Sequence, residues 1–276
     1  METQLLSEVC QMLNDIRVTK PLVHHITNYV TVCDCANITL AVGASPIMAD
    51  DLGEVADIAA ISSALVLNIG TLNARTIESM LAAGTKANEA GVPVVLDPVG
   101  AGASTLRNRA TQTLLDRVSF RVIRGNMSEI RYIAGLGATV KGVDASEADF
   151  TGDSRADAGI AKALAAKYDC VVAVTGATDI IAAREGAVCL ENGHPMLGTV
   201  SGTGCMCSSL VGSFCGVAKN FHSAAAAGVL CMSIAGETAF ERAGGLGPGS
   251  FHAALFDEIA KINPETIRER AKIYEA

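Results

Sequence analysis

The sequence contains no tryptophan, and aromatic residues make up only 4% of its 276 positions. Glycine, by contrast, occurs 27 times, and alanine is frequent. Small residues allow helices and strands to pack closely, so this composition favours tightly packed α/β layers over an all-β sandwich. Half of the residues are hydrophobic, and a chain of this length can bury one large core or two small ones.

Positive charge is also scarce. Lysine and arginine total 21 against 29 acidic residues, which gives a net charge of −8 and a pI near 5.1. No basic stretch interleaved with aromatic residues is present. These features argue against binding a polyanion, so we expect no nucleic-acid partner.

Sequence signals for export or membrane insertion are weak. The segment METQLLSEVCQMLNDIR predicts an amphipathic helix with acidic residues, which is not typical of a signal peptide. Uncharged runs at 198–218 and 223–236 are rich in Gly, Ser and Ala and favour buried helices over membrane spans. Nine cysteines without an export signal are typical of reduced thiols, so we predict a cytoplasmic protein without a membrane partner.

Two common ligand motifs are missing as well. No GxxxxGK[ST] segment occurs, which excludes a P-loop enzyme. The CxC pairs Cys33/Cys35 and Cys205/Cys207 lack a second pair at zinc-like spacing, and helical residues two apart do not share a face. Most cysteines are therefore predicted to be small buried hydrophobes. His24 and His25 point to opposite faces of a predicted strand and are interpreted as structural.

Short apolar strands alternate with helices along the chain, which predicts a parallel sheet covered on both faces by helices. The segments 179–184 and 187–190 predict a hairpin at one edge, and the C-terminal segments 250–261 and 264–273 predict helices. The polar loop at 139–154 is too short to be a domain linker. We therefore predict a single α/β domain over residues 1–276. The predicted strands of the alternating part lie near residues 20–28, 43–50, 64–70, 92–98, 120–126 and 170–176.

Four of these strands end in polar residues. Ligands of open parallel sheets bind beyond the carboxyl ends of the strands. The strand ends are Asn68-Ile69-Gly70, Asp97-Pro98, Arg124-Gly125-Asn126 and Thr175-Gly176. Glu129 follows Asn126 by one helical turn. Carboxylates, an arginine and a hydroxyl in one place predict a cradle for Mg²⁺ and phosphates. The alternatives are that Asp97 only caps a turn and that Glu129 is a solvated helix residue.

A glycine turn precedes a long stretch of small residues. The turn reads Thr199-Val200-Ser201-Gly202-Thr203-Gly204-Cys205, and the helix is predicted from Cys205 to about Phe221. Unpaired N–H groups and the positive end of the helix dipole make such a turn a site for an anion. The alternative is a tight turn into a buried helix.

An ordered set of motifs over residues 20–240 resembles the hydroxyethylthiazole kinase family of the ribokinase-like superfamily. The resemblance implies a ribokinase-like three-layer fold and phosphorylation of the primary hydroxyl of 4-methyl-5-(2-hydroxyethyl)thiazole by ATP, in thiamine biosynthesis or salvage. It also implies a homotrimer with active sites between subunits. The motifs are His25-Ile26-Thr27-Asn28, Gly43–Ala49, Leu96–Ala101, Ile123–Asn126 with Glu129, Val174-Thr175-Gly176 and Ser201–Cys205.

The resemblance also implies roles for single residues. Arg124 and Thr175 contact ATP, and Asn126 belongs to the same nucleotide and phosphate site. Glu129 and Asp97 lie beside Mg²⁺.

On the substrate side, the same resemblance implies that Met48 and Gly202 contact the thiazole and that Asn28 faces its pocket. The Gly202–Cys205 amides, Gly204 among them, would hold the transferring group. Cys205 stands where ribokinase relatives generally carry an aspartate base. A free thiol has a pKa of about 8.5, which a helix N-terminus lowers, so Cys205 is expected to accept the proton, less readily than a carboxylate.

One position departs from the family pattern, because Cys33 stands where a polar asparagine is expected. Three other functions stay open on the sequence alone. A related kinase would act on a hydroxymethylpyrimidine or pyridoxal alcohol. An ADP-dependent hydratase would need an aspartate in the glycine turn, and a catalytically silent binding protein would not turn over ATP.

Overall fold

The structure is a computed structural model, and it describes residues 2–136 and 154–276. The predicted polar loop at 139–154 lies outside the described residues, apart from Ser154, which begins a helix.

One sheet runs through the described chain, with strand order β2-β1-β3-β4-β5-β6-β7-β8-β9. Strands β1 to β6 pair in parallel, whereas β7, β8 and β9 pair antiparallel to their neighbours. The prediction of a mostly parallel sheet is confirmed. The strands are β1 Leu22–Ile26, β2 Ser45–Ile47, β3 Ala64–Asn68, β4 Val94–Asp97, β5 Val122–Asn126, β6 Val171–Thr175, β7 Asp179–Ala182, β8 Ala187–Leu190 and β9 Ile273–Glu275.

Helices cover the sheet on both faces and form two separate hydrophobic cores. Helices α1, α2 and α8 to α11 contribute to one core, and α3 to α7 contribute to the other. The predicted three-layer arrangement is therefore confirmed. The helices are α1 Glu2–Thr19, α2 Val32–Val42, α3 Val55–Ile61, α4 Ala74–Ala90, α5 Thr105–Arg117, α6 Met127–Ile133, α7 Ser154–Tyr168, α8 Thr203–Cys215, α9 Phe221–Ala243, α10 Pro248–Lys261 and α11 Pro264–Arg270.

Strand β3 shows why these segments are strands. All five of its residues are buried, because helices cover both faces of the sheet. Val66 belongs to the core with α8 and α9, whereas Leu65 and Leu67 belong to the opposite core. Alternate side chains point to opposite faces of a strand, so a strand buried on both sides must be apolar throughout.

The small-residue stretch lets α8 lie close to both α9 and the sheet. A Cβ on Gly228 of α9 would lie 2.5 Å from the backbone nitrogen of Val211, and one on Gly212 would lie 2.4 Å from Cγ2 of Val66. The segment Phe221–Leu246 is long and apolar enough to cross a membrane, but 83% of its most apolar window is buried inside the protein. It is built as a core helix, as predicted for this region.

Two predicted helix ends and the predicted place of the hairpin are wrong. Helix α8 ends at Cys215, short of Phe221, because the chain turns at Gly216 and restarts as α9 behind the Asn220 cap. The last helix ends at Arg270, and the following residues form β9 instead of more helix. Because β9 pairs with β8, the predicted hairpin lies one strand inside the edge of the sheet.

Candidate active site

The glycine turn before α8 needs glycine at position 202 for two reasons. Gly202 is the N-cap of α8 and has a φ of 91°, in the left-handed region that L-residues avoid. A Cβ there would also lie 2.5 Å from Cγ2 of Thr31. The helical hydrogen bonds begin with Met206 N–H donating to the Gly202 carbonyl (2.8 Å). The N–H groups of residues 203–205 therefore precede the helical ladder and are available to an anion.

The polar strand ends lie side by side, as predicted. Asn68 of β3 is in register with Asp97 of β4, and Asn126 of β5 is in register with Thr175 of β6. Arg124 lies two residues before Asn126 in the strand between β4 and β6. The carboxyl ends of four adjacent strands thus form one polar edge beneath the first turn of α8.

Cys205 lies in the first turn of α8 and faces two carboxamides. Nδ2 of Asn28 lies 3.2 Å from its Sγ, and Nδ2 of Asn68 lies 3.3 Å away. Burial, followed by the negative charge of Asp97, raises the pKa of the Cys205 thiol to about 11. The expected lowering by the helix N-terminus is therefore wrong in direction, because desolvation outweighs the dipole.

Asp97 is fully buried and carries two distinct oxygens. Its Oδ2 accepts hydrogen bonds from Asn68 Nδ2 (2.7 Å) and Ser208 Oγ (2.8 Å). Its Oδ1 has no hydrogen-bond partner among the described residues, and it lies 3.8 Å from Nη1 of Arg124. Burial raises the pKa of the Asp97 carboxyl, and the Arg124 guanidinium opposes that rise.

Arg124 lies directly against the glycine turn. Its Nη2 donates a hydrogen bond to Oγ1 of Thr175, so the two side chains predicted to contact ATP touch each other. A Cβ on Gly204 would lie 2.9 Å from its Nη1, which explains why the first turn of α8 has no side chain there. A guanidinium next to a helix N-terminus concentrates positive charge at one place.

Asn126 and Glu129 cap α6 together. Oδ1 of Asn126 accepts the N–H of Glu129 (2.9 Å), and Oε2 of Glu129 accepts the N–H of Asn126 (2.8 Å). Oε1 of Glu129 accepts the N–H of Gly100 (2.8 Å), which ties the loop after β4 to α6. Burial, reinforced by the charge of Asp97, raises the pKa of Glu129 to about 7. Glu129 is buried rather than solvated, and both of its oxygens already hold backbone N–H groups.

The candidate magnesium ligands do not form a closed cage. Across residues 2–136 and 154–276, no group of three or more His, Cys, Asp or Glu side chains is placed to hold a metal ion. Mg²⁺ usually keeps several waters and is bound by one or two carboxylates together with substrate phosphates. The free Oδ1 of Asp97 and the remaining lone pairs of Glu129 fit such an open site.

Met48 and Asn28 follow neighbouring strands. Met48 comes directly after β2 and is half-buried, and Asn28 lies two residues after the end of β1. The carbonyl of Ala49 accepts a hydrogen bond from His24 Nε2 (2.7 Å), so this buried histidine fixes the segment that carries Met48. Both histidines are buried within the strand, as their structural interpretation predicted.

Arg107 and Thr31 are site residues that the sequence analysis missed. Arg107 of α5 donates to the carbonyls of Ile69 (2.7 Å), Gly70 (2.7 Å) and Val99 (2.6 Å), and so joins the loops after β3 and β4. Thr31 donates from its backbone N and its Oγ1 to Oδ1 of Asn28, at 3.1 Å each. No short sequence motif marks either residue: Arg107 acts mainly through carbonyls 37 and 38 residues away, and Thr31 acts through the side chain of Asn28.

The cysteines of the two CxC pairs differ in exposure, and in the part of the chain that the structure describes they do not belong to a group placed to hold a metal ion. Cys33 is exposed, whereas Cys35 and Cys207 are buried. Burial raises the pKa of Cys207 to about 12, which is the behaviour of a small hydrophobe.

A model of the hydroxyethylthiazole kinase family matches residues 13–265. The chain belongs to the hydroxyethylthiazole kinase family. Hydroxyethylthiazole kinase from Ruminiclostridium cellulolyticum is 56% identical over 273 residues, which cover 99% of each chain. The solved structure of the hydroxyethylthiazole kinase protein from Pyrococcus horikoshii superposes with a TM-score of 0.87 at 37% identity, covering 97% of this chain and 98% of that one.

Family membership makes the chain a kinase, as the sequence predicted. A ribokinase-like superfamily protein from Enterococcus faecalis is 12% identical, with a TM-score of 0.61 over 88% of this chain and 87% of that one. At that identity the likeness shows the fold alone, and it confirms the predicted ribokinase-like architecture.

Proposed function

We propose that this protein transfers the γ-phosphoryl group of ATP to the primary hydroxyl of 4-methyl-5-(2-hydroxyethyl)thiazole, which provides the thiazole phosphate for thiamine biosynthesis or salvage. The observation that carries the proposal is the glycine turn of α8, where free backbone N–H groups meet the Arg124 guanidinium. Phosphoryl transfer depends mainly on positioning and on neutralising charge. The names of relatives up to 56% identical support the choice of the thiazole.

The nucleotide would lie along the ends of β5 and β6. Arg124 and Thr175 touch each other there and would hold the phosphates, with Asn126 at the start of α6 beside them. The N–H groups around Gly202, Gly204 and Cys205 would hold the transferring group.

Mg²⁺ would be held by Asp97 and Glu129. When bound, it would neutralise part of the charge on the ATP phosphates. The unpaired, buried Oδ1 of Asp97 supports this assignment. Glu129 would contribute through lone pairs not used by Gly100 and Asn126, and Asn68 and Ser208 would keep the Asp97 carboxylate in place.

The thiazole would lie between the segment after β2 and the glycine turn. Met48 offers a flexible thioether against a flat, sulfur-containing ring, and Gly202 leaves room for close approach. Asn28 would border the pocket, and Cys205 would accept the hydroxyl proton. Because its thiol pKa is raised to about 11, only a small fraction is thiolate at neutral pH, which implies a slow enzyme.

A homotrimer with active sites between subunits is part of the proposal. Directly after Asn28, Tyr29 is 79% exposed and Val30 is 61% exposed, and Leu52 near Met48 is 48% exposed. Apolar side chains beside the pocket suit cover by a second copy of the chain. Light scattering of the purified protein measures the mass, and Val30→Asp should give a smaller, inactive species.

We also infer a single domain and a cytoplasmic location. One continuous sheet contains strands from both ends of the described chain, which supports one domain. All nine cysteines are free thiols, which supports a reducing compartment.

The function is tested by incubating the purified protein with ATP, Mg²⁺ and a panel of alcohols, with product masses as the readout. We expect a phosphorylated product from the hydroxyethylthiazole and little from hydroxymethylpyrimidine or pyridoxal. A higher rate with one of those two alcohols would mean that this alcohol, and not the thiazole, is the substrate. Phosphate release without a phosphorylated alcohol would contradict the kinase reaction.

A further inference from the structure

Asn68, the last residue of β3, is buried and uses every hydrogen-bonding position of its side chain. Its Oδ1 accepts from the Gly70 N–H (2.9 Å) and from Asn28 Nδ2 (3.1 Å). Its Nδ2 donates to Asp97 Oδ2 (2.7 Å) and to Cys205 Sγ (3.3 Å). Because a backbone N–H can only donate, Gly70 fixes which end of the carboxamide is the oxygen.

Asn28 is oriented in the same way. The backbone N–H of Thr31 donates to its Oδ1 (3.1 Å), so its Nδ2 must point toward Asn68 and Cys205. The Cys205 sulfur therefore faces two N–H donors whose directions the backbone sets. One of those donors, Asn68, also holds the Asp97 carboxylate.

We propose that Asn68 is a positioning residue of this site: its carboxamide fixes the Cys205 sulfur relative to the Asp97 carboxylate and supplies an N–H donor to the sulfur. Among its four partners, only Gly70 is a backbone group; the other three are side chains of the candidate site. A neutral NH₂ group carries two hydrogens, one for each acceptor, while the oxygen accepts twice. A residue needed only to end β3 would have no reason to join these three side chains.

The proposal rests on the proposed function for its effect on turnover. Its chemical part, the donor to the sulfur, is independent of which alcohol is phosphorylated. The two parts can therefore be tested separately.

Asn68→Asp removes one of the sulfur's two donors, leaves the Asn28 donor in place and keeps the other bonds of the side chain. The side chain has the same size, and burial beside Asp97 favours its protonated form. The single O–H then donates to Asp97, while the carbonyl oxygen still accepts from Gly70 and Asn28. An oxygen lone pair replaces the N–H that faced Cys205.

Alkylation by iodoacetamide reads the chemical part, with each cysteine followed in its own peptide by mass spectrometry. We expect Asn68→Asp to slow alkylation of Cys205 about tenfold, because a hydrogen bond to the thiolate is lost. Exposed Cys33 serves as the reference within the same sample. The control is Asn88→Asp, since Asn88 exchanges two hydrogen bonds with the Ser119 backbone away from the site. An unchanged Cys205 rate in Asn68→Asp would overturn the proposal.

A kinetic cycle reads the effect on turnover. Asn68 is only 1% exposed, so Asn68→Asp should leave both KM values within twofold. Because the variant loses a donor to the Cys205 sulfur, its kcat should be about tenfold lower. In a Cys205→Ala background the same change should cost less than twofold, because the sulfur it acts on is gone. Equal losses in the two backgrounds would show that Asn68 does not act through Cys205 and would overturn the proposal.

A second variant covers the case in which Asn68→Asp does not fold, judged by thermal melting. Asn68→Ala then replaces it in the cycle, and its loss should again be smaller without the Cys205 sulfur; equal losses again contradict the proposal. If no alcohol is phosphorylated by the unmodified protein, the proposed function fails while the alkylation experiment still decides the role of Asn68.

Discussion

Cys205 is the group that we expect to set the pH dependence of turnover. With a thiol pKa of about 11, roughly one molecule in 10⁴ carries the thiolate at pH 7. If the thiolate accepts the hydroxyl proton, kcat should rise about tenfold for each pH unit between 7 and 9. The rise comes from the population of the base, so KM for ATP should stay nearly constant.

Cys205→Asp changes both the population and the strength of the base. The environment that raises the thiol pKa from 9.0 to about 11 would raise an aspartate from about 4 to about 6. About 90% of the aspartate would then be ionised at pH 7, a gain of nearly 10⁴ in population. Its basicity is lower by about five pH units, which costs roughly 300-fold at an intermediate Brønsted slope of about 0.5. We therefore expect kcat about 30-fold above wild type at pH 7 and a flat profile above it.

Cys205→Ala removes the acceptor and should lower kcat about 100-fold, the low end of what a general base contributes. The assay is steady-state ADP release for the three proteins between about pH 6 and 9, a range below the raised thiol pKa. The competing view makes Cys205 a small buried hydrophobe, so that only the backbone of the turn matters. In that case Cys205→Ala is active, and Cys205→Asp is inactive because the aspartate buries a charge. That pattern, or a flat wild-type profile, would refute the base assignment.

Four further changes test other parts of the site and fold. Glu129→Gln should abolish most activity and cost about 1–3 kcal/mol of stability. The reason for the stability loss is that the NH₂ group of glutamine must face one of the two backbone N–H groups that Glu129 accepts. Full turnover at saturating Mg²⁺ would remove Glu129 from the site. Met48→Ala should raise KM for the thiazole about tenfold by removing apolar contact, whereas a change confined to KM for ATP would mean that the two pockets are reversed. Gly202→Ala should cost about 2–3 kcal/mol in denaturant unfolding through backbone strain and overlap with Thr31. Gly159→Ala, at an exposed position of α7 with open space at its Cβ, should be neutral or stabilising. Burial lowers the pKa of His25 to about 4, so the unfolded state takes up a proton at higher pH than the folded state. Stability should therefore fall by about 3 kcal/mol as pH drops from 6.5 to 4. His25→Gln should flatten this part of the plot of melting temperature against pH, and an unchanged slope of that plot would contradict a neutral buried histidine.

The alternation of helix and strand was predictable because each strand must be apolar on both faces. Val66 and Leu67 enter different cores, and such a continuous apolar run is visible in the sequence. β9 was not predictable in this way. It is only three residues long, it follows α11 closely, and two of its three residues are exposed. Its pairing with β8 is a tertiary contact that local sequence pattern does not indicate.

The candidate site divides along the same line. Asp97, Asn126 and Thr175 were visible because they close apolar strands, and parallel topology brings strand ends together. The role of Glu129 as an acceptor of two backbone N–H groups could not be predicted from the sequence, because one of these groups belongs to Gly100, 29 residues away. Desolvation was equally hidden. The helix dipole can be inferred from a glycine turn, but the burial that raises the pKa of Cys205 depends on elements from the whole chain.

The neutral thiol at position 205 follows from the charges that surround it. Two buried carboxyl groups of the candidate site, Asp97 and Glu129, already lie near the guanidinium of Arg124, whose side chain is 12% exposed. Burial raises the pKa of both carboxyls. A third carboxylate at position 205 would add repulsion to this cluster in the absence of a bound cation. A thiol avoids that repulsion and still accepts hydrogen bonds from Asn28 and Asn68. The site therefore gives up most of the ionised population of its base at one residue and keeps its carboxyl groups compatible with a folded protein, a trade between stability and activity.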